Sequence, residues 1–170
     1  MKKIIVGACI LLVAGNVVAA DGTIHFIGSI TDQTCTVDSG SQNLNVNLGK
    51  VAQTALNGAA GMKASPTRFT LSVSGCPDTV TGANVKFDGI SDGVNQSLLA
   101  LDGGTGIATG VGIEIADKNG AVIPLHTAST DYPLAAGSNT LDFIARYVST
   151  GTAVTTGTAN GTSQFTINYK

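Results

Sequence analysis

Apolar and polar side chains alternate one for one through Gln164, Phe165, Thr166, Ile167, Asn168, Tyr169 and Lys170. A period of two is the mark of a strand with one dry face and one wet face. A second stretch of this kind runs from Gly22 to Ile30. Its even-numbered positions share a face and carry three large apolar side chains, Ile24, Phe26 and Ile30, with two glycines, Gly22 and Gly28. Between these ends the pattern predicts strands over 34–38, 44–48, 67–74, 83–88, 112–116, 121–124 and 140–148, with the terminal pair at 23–31 and 163–169. Asp117, Lys118, Asn119 and Gly120 separate two apolar runs and read as a hairpin turn, because Asn and Gly tolerate positive φ. Residues 51–62 are rich in Ala, but Gly58 and Gly61 weaken a helix there, which leaves a loop with at most a short helical turn. Residues 103–110 read as a mobile connection.

Composition sharpens this picture. With 22 glycines, 12% charged residues and much Thr, Val, Ser and Asn, the chain favours many short strands over helices, and the fold class is all-β. No repeat of solenoid period and no charged linker divides it, so one domain is expected.

The amino-terminal end follows different rules. Lys2 and Lys3 precede the apolar run from Ile4 to Val13, and Val18, Ala19 and Ala20 lead into Asp21, the layout of a secretory signal peptide spanning residues 1–20. Gly7, Gly15 and Asn16 interrupt the run, which is short of the roughly 20 apolar residues a membrane span needs. Without it the chain keeps seven basic residues of nine and all eleven acidic ones, a net charge of −4, and no basic cluster suited to nucleic acid. Cys9 leaves with the leader, and Cys35 and Cys76 remain. In an exported protein this pair reads as one disulfide, two free thiols being the competing reading.

Candidate chemistry is sparse. His25 and His126 are the two histidines of the chain, and no helix pattern brings either near a second metal ligand. Neither stands beside a nucleophile motif such as G-x-S-x-G. His25 alternates outward between Ile24 and Phe26 and reads as an exposed strand residue. Gly104, Gly106 and Gly110 depart from the dinucleotide-loop spacing and lead into a strand pattern rather than a helix. No catalytic residue, metal or cofactor is expected.

From Gly22 the chain reads GTIHFIGSITDQTCTVD, followed by Leu48, Gly49, Lys50 and Val51, by FIARY at 143–147 and by FTINYK at the end; Tyr169 is penultimate and Gly157 fourteenth from the last residue. These segments resemble the chaperone–usher fimbrial subunits, especially the major pilins of type 1-like and F17-like fimbriae. The resemblance implies an incomplete immunoglobulin-like sandwich of six strands, residues 32–170, with a groove where the seventh strand would lie. It implies an amino-terminal donor strand, residues 21–31, whose Gly22, Ile24, Phe26, Gly28 and Ile30 would enter the groove of a neighbour. Gly157, Phe165, Ile167 and Tyr169 would border that groove, which a periplasmic chaperone fills first and an outer-membrane usher then passes to the next subunit. Lys170 would meet the chaperone through its α-carboxylate. The function implied is that of a structural subunit of a cell-surface fimbrium supporting adhesion, exported through the periplasm.

Other readings use the same residues. Residues 23–30 could be a plain first strand folded on its own body, and 163–169 an ordinary last strand of a closed sandwich. Arg146 alternates away from Phe143, Ala145 and Tyr147 and reads as a solvent or subunit salt-bridge residue, worth little at an exposed site, with Tyr147 either core or interface. A single-domain adhesin displayed on every copy, a minor adaptor subunit and an enzyme on a closed sandwich are the functional rivals. The absence of Trp and the 5% aromatic content weigh against a stacked sugar site, and two histidines against a metal enzyme.

Overall fold

A computed structural model describes residues 24–28, 30 and 34–170. The predicted leader, Gly22 and the first residues of the predicted arm lie outside the described residues. The chain divides into two units, Met1–Ile30 and Thr31–Lys170.

The second unit is built from seven strands: β1 (Thr36–Val37), β2 (Thr67–Cys76), β3 (Gly82–Asp88), β4 (Val111–Asp117), β5 (Tyr132–Pro133), β6 (Gly137–Ser149) and β7 (Gln164–Tyr169). They form two antiparallel sheets, ordered β1-β2-β6-β4 and β5-β3-β7. One turn of α-helix, α1 (Ser39–Gln42), and a 3-10 turn at Gln53–Ala55 are the helical elements among the described residues.

Alternation within the strands makes the core. Leu71 and Val73 of β2, Val85 and Phe87 of β3, and Leu141 and Phe143 of β6 turn inward and are buried. Phe143 sits at the centre, its ring 5.4 Å from Phe69, 5.2 Å from Phe87 and 5.3 Å from Tyr132. A smaller cluster of Leu56, Ala64, Ala108, Val111 and Val154 is joined to the main core through Leu101 and Tyr147, which pack against both. The disulfide between Cys35 and Cys76 ties the segment leading into β1 to the end of β2. It closes a loop of 41 residues, a restraint on the unfolded chain worth about 4 kcal/mol in the loop-entropy description.

Three sequence expectations need correction, and one strand was not expected. Residues 44–48 form no strand. Val46 and Leu48 do share a half-buried parity, and Leu48 packs on the core, but no strand among the described residues lies beside them to complete a ladder. The turn at Asp117–Gly120 forms as expected, with the Asp117 carboxylate accepting the N–H groups of Asn119 and Ala121. The strand returning from it shrinks to a single bridge between Val122 and Ala116, because Pro124 has no N–H to offer a ladder. Residues 103–110 are fastened rather than loose: Ala108 N–H donates to the Thr158 carbonyl at 2.8 Å, and Thr158 N–H to the Gly106 carbonyl at 2.9 Å. Finally β5, hidden from the pattern by its own Pro133, pairs with Gly82 and Ala83 as a two-residue edge strand.

Candidate functional site

β7 has β3 on one side and, among the described residues, no strand on the other. Across the ladder Phe165 faces Phe87, Ile167 faces Val85 and Tyr169 faces Ala83. All six side chains are on the core side. The β3 members are at most 4% exposed, whereas their three β7 partners are only half-buried. The composition of the two rows does not explain this difference; the position of β7 at an uncovered edge does. Apolar surface left half in water is costly at about 25 cal/mol per Å², so this edge calls for a cover.

The backbone along the edge is open as well. Lys170 N–H donates to the Gly82 carbonyl at 2.8 Å, and the Lys170 carbonyl accepts from Thr81 N–H at 2.9 Å. Even-numbered residues of β7 therefore direct their peptide groups at β3, and strand alternation turns those of Phe165, Ile167 and Tyr169 outward along the free edge. At one end Tyr169 Oη donates to the Cys35 carbonyl at 3.4 Å, which brings the end of β7 close to the start of β1, the edge strand of the other sheet. An unpaired edge of one sheet thus approaches the edge strand of the other at this end. Burial pushes the Tyr169 and Tyr147 hydroxyls above their ordinary pKa.

The remaining site residues take distinct places. Gly157 stands outside β7, pressed against the 106–108 backbone, where a Cβ would come within 2.6 Å of the Gly106 carbonyl oxygen. Lys170 pairs through Nζ with Asp131 at 2.6 Å. That ammonium and Asn84 Nδ2 hold the Asp131 carboxyl below the usual carboxylate range. In the first unit Ile24, Phe26, Ile27 and Ile30 are exposed, Phe26 at 93%, and the described residues there form no strand. Gly28 has open space around it.

Two polar clusters lay beyond sequence reasoning. Arg146 is no exposed residue: its Nη2 lies 2.6 Å from Glu114, a carboxylate also held by Lys63 at 2.8 Å. Glu114 and Arg146 are register partners on β4 and β6, and Lys63 bridges to Val148, so the correction comes from cross-strand pairing. Because the Glu114 carboxylate is buried and Arg146 largely so, while Lys63 is exposed, Arg146→Ala is expected to lower stability by about 2 kcal/mol, read as a reduced denaturant midpoint at unchanged slope. The other cluster gathers around His126, at φ 65°. Nδ1 meets Asp88 at 2.9 Å and Nε2 meets Ser91 at 3.3 Å, while Asp88 is shared with Lys86 at 3.0 Å. Bonds from His126 and Lys86 hold the Asp88 carboxyl low. Residues 88, 91 and 126 form no linear motif, and in the fold this array fastens two loops to the end of β3, where His126 N–H also donates to the Phe87 carbonyl.

The family model described as fimbrial protein matches residues 24–170 of this chain. The chain belongs to the fimbrial protein family. Long polar fimbria protein A of Salmonella typhimurium is 36% identical, over 100% of this chain and 98% of that protein. Fimbrial subunit type 1 of Klebsiella pneumoniae is 39% identical over 88% of this chain and 84% of its own. Among solved structures, an antigen and type I fimbria protein of Burkholderia pseudomallei superposes with a TM-score of 0.63 at 34% identity, covering 82% of this chain and 91% of that one. The P pilus rod subunit PapA, 21% identical, shares the fold with a TM-score of 0.67 over 80% of this chain and 99% of its own. The protein is thus a structural fimbrial subunit with an immunoglobulin-like fold, a component of exported surface pili.

Proposed function

We propose that this fimbrial subunit polymerises head to tail by donating residues 21–31 to the cleft beside β7 of the next copy. The observation that carries this reading is the unequal burial of register partners: Phe87 and Val85 are covered, and Phe165 and Ile167 opposite them are not. A strand laid on that edge would close the sheet with its backbone and the core with its side chains. The arm is suited to the role. Ile24, Phe26 and Ile30 share one parity, and burying each contributes roughly 1.5–3 kcal/mol before ordering costs, with main-chain bonds in addition. Gly22 and Gly28 on the same parity permit close backbone approach. Donation to a different copy by a heterologous contact that does not close gives a fibre.

In this reading residues 1–20 are a cleaved leader, 32–170 are the immunoglobulin-like body, and the subunit performs no chemistry of its own. A periplasmic chaperone occupies the cleft before an outer-membrane usher exchanges it for the neighbour's arm. Gly157, Phe165, Ile167 and Tyr169 border the cleft, and Lys170 contributes to chaperone contact.

The body alone, residues 32–170, is expected to aggregate. With a peptide of residues 21–31 it is expected to become a soluble monomer whose melting temperature climbs with peptide concentration. A body that is soluble and heat-resistant without peptide, and indifferent to it, would sink strand donation.

A further inference from the structure

Beyond the free edge of β7 the chain finds a different set of partners. Residues 158–162 prolong the line of β7 past the end of β3, and the segment 102–108 takes over as their partner. Asp102 N–H donates to the Asn160 carbonyl at 2.8 Å, and the Thr158 peptide bonds to Gly106 and Ala108. These bonds use even-numbered residues, so the Ala159 peptide is turned away from the 102–108 segment. The Ala159 carbonyl is nevertheless occupied, because Tyr147 Oη donates to it at 2.7 Å. Tyr147 belongs to β6, in the opposite sheet, and reaches across the sandwich from the face it shares with Phe143 and Ala145. Its half-buried ring packs against both core clusters. Burial raises its pKa, so the hydroxyl stays a donor at physiological pH.

We infer that Tyr147 sets the register of the donated strand by ending the usable edge short of Ala159. This rests on the strand-donation reading above. A strand on the edge of β7 must place an N–H against each outward carbonyl, and at Ala159 the tyrosine hydroxyl stands where that donor would come. Alternation allows slips of two residues, which keep the same side chains on the core face, and by itself does not distinguish one such register from the next. Ile24, Phe26 and Ile30 oppose a slip only in part, since glycine stands at both Gly22 and Gly28 on the same parity. A fixed obstacle at one end of the lane supplies the missing discrimination.

Cysteine pairs in the full chain test this. Ile27 is on the parity opposite to the inserting one, and Gln164, Thr166 and Asn168 are the exposed residues of β7. Fibres are assembled from chains carrying Ile27→Cys with Gln164→Cys, Thr166→Cys or Asn168→Cys, oxidised mildly, and the interchain disulfides quantified on a non-reducing gel. With Tyr147 in place one pair should exceed the others by about tenfold, the value of roughly one hydrogen bond. In the Tyr147→Phe background, which keeps the ring and removes the donor, that preference should fall to about twofold or less. The same single pair at the same preference in both backgrounds would overturn the register stop and leave strand donation standing. Loss of assembly with Tyr147→Phe would overturn it too, since a residue that only sets register is dispensable for insertion. Fibres that cross-link through none of the three pairs in either background would remove the strand-donation reading itself.

Discussion

Fibres should fail to assemble from the chain carrying Phe26→Asp, while its body folds as before. Phe26 is 93% exposed in the isolated subunit, so its replacement removes nothing that stabilises the body. Under the proposed strand donation the same position is the largest side chain on the inserting parity. The substitution forfeits roughly 3 kcal/mol of apolar burial and forces a carboxylate into an apolar cleft, which adds several more. A combined loss of about 5 kcal/mol corresponds to a weakening on the order of 10³- to 10⁴-fold per junction. Electron microscopy and sedimentation read the fibre, and circular dichroism reads the body. Ile27→Asp is the control: the residue is equally exposed but of opposite parity, so assembly should survive. Normal fibres from Phe26→Asp would mean that the even-numbered face does not enter the cleft.

Gly157→Ala should destabilise the body itself, before any assembly. A Cβ there would press on the Gly106 carbonyl oxygen at 2.6 Å and come closer still to the Ala108 amide nitrogen and the Ile107 carbonyl carbon. Those atoms are backbone, held by the bonds between Thr158 and the 106–108 segment, so they cannot swing aside as a flexible side chain would. The expected cost is about 3 kcal/mol, a fall in the unfolding midpoint of about 10 °C for a chain of this size. Gly28→Ala makes the contrast, since no atom lies within 4 Å of the added group in the subunit. It should leave the midpoint unchanged and weaken fibre formation alone. An unchanged midpoint for Gly157→Ala would show that the contact with 106–108 is softer than its geometry implies.

Legibility in the sequence followed the range of the interaction. The strands over 67–74, 83–88, 112–116 and 140–148 appear within a few residues of their expected bounds because alternation is local and each has a neighbour in the same chain. Residues 44–48 alternate just as well and form no strand, since pairing requires a partner that alternation does not report. The odd-numbered parity of β7 was plain from the sequence. Arg146 was misjudged for the opposite reason: its pattern was outward, and outward on β6 happens to mean facing Glu114 and Lys63. Tyr147 gave no local sign of its bond to Ala159, twelve residues away along the chain and in the other layer of the sandwich.

The structure settled the Cys35–Cys76 bond against two free thiols, while composition and period two, by themselves, determined that this chain is all-β and that residues 22–30 and 164–170 each carry one apolar face. Such properties depend on neighbours a few positions apart or on residue counts, and they survive in the unfolded chain as written order. Which edge is left uncovered, and where that edge ends, was decided only when two sheets packed. Burial of Phe87 and exposure of Phe165 arise from the same alternation and differ solely in how many strands lie beyond them. That number is a property of the assembled sandwich, because a sheet edge exists only where every other strand has already found its place.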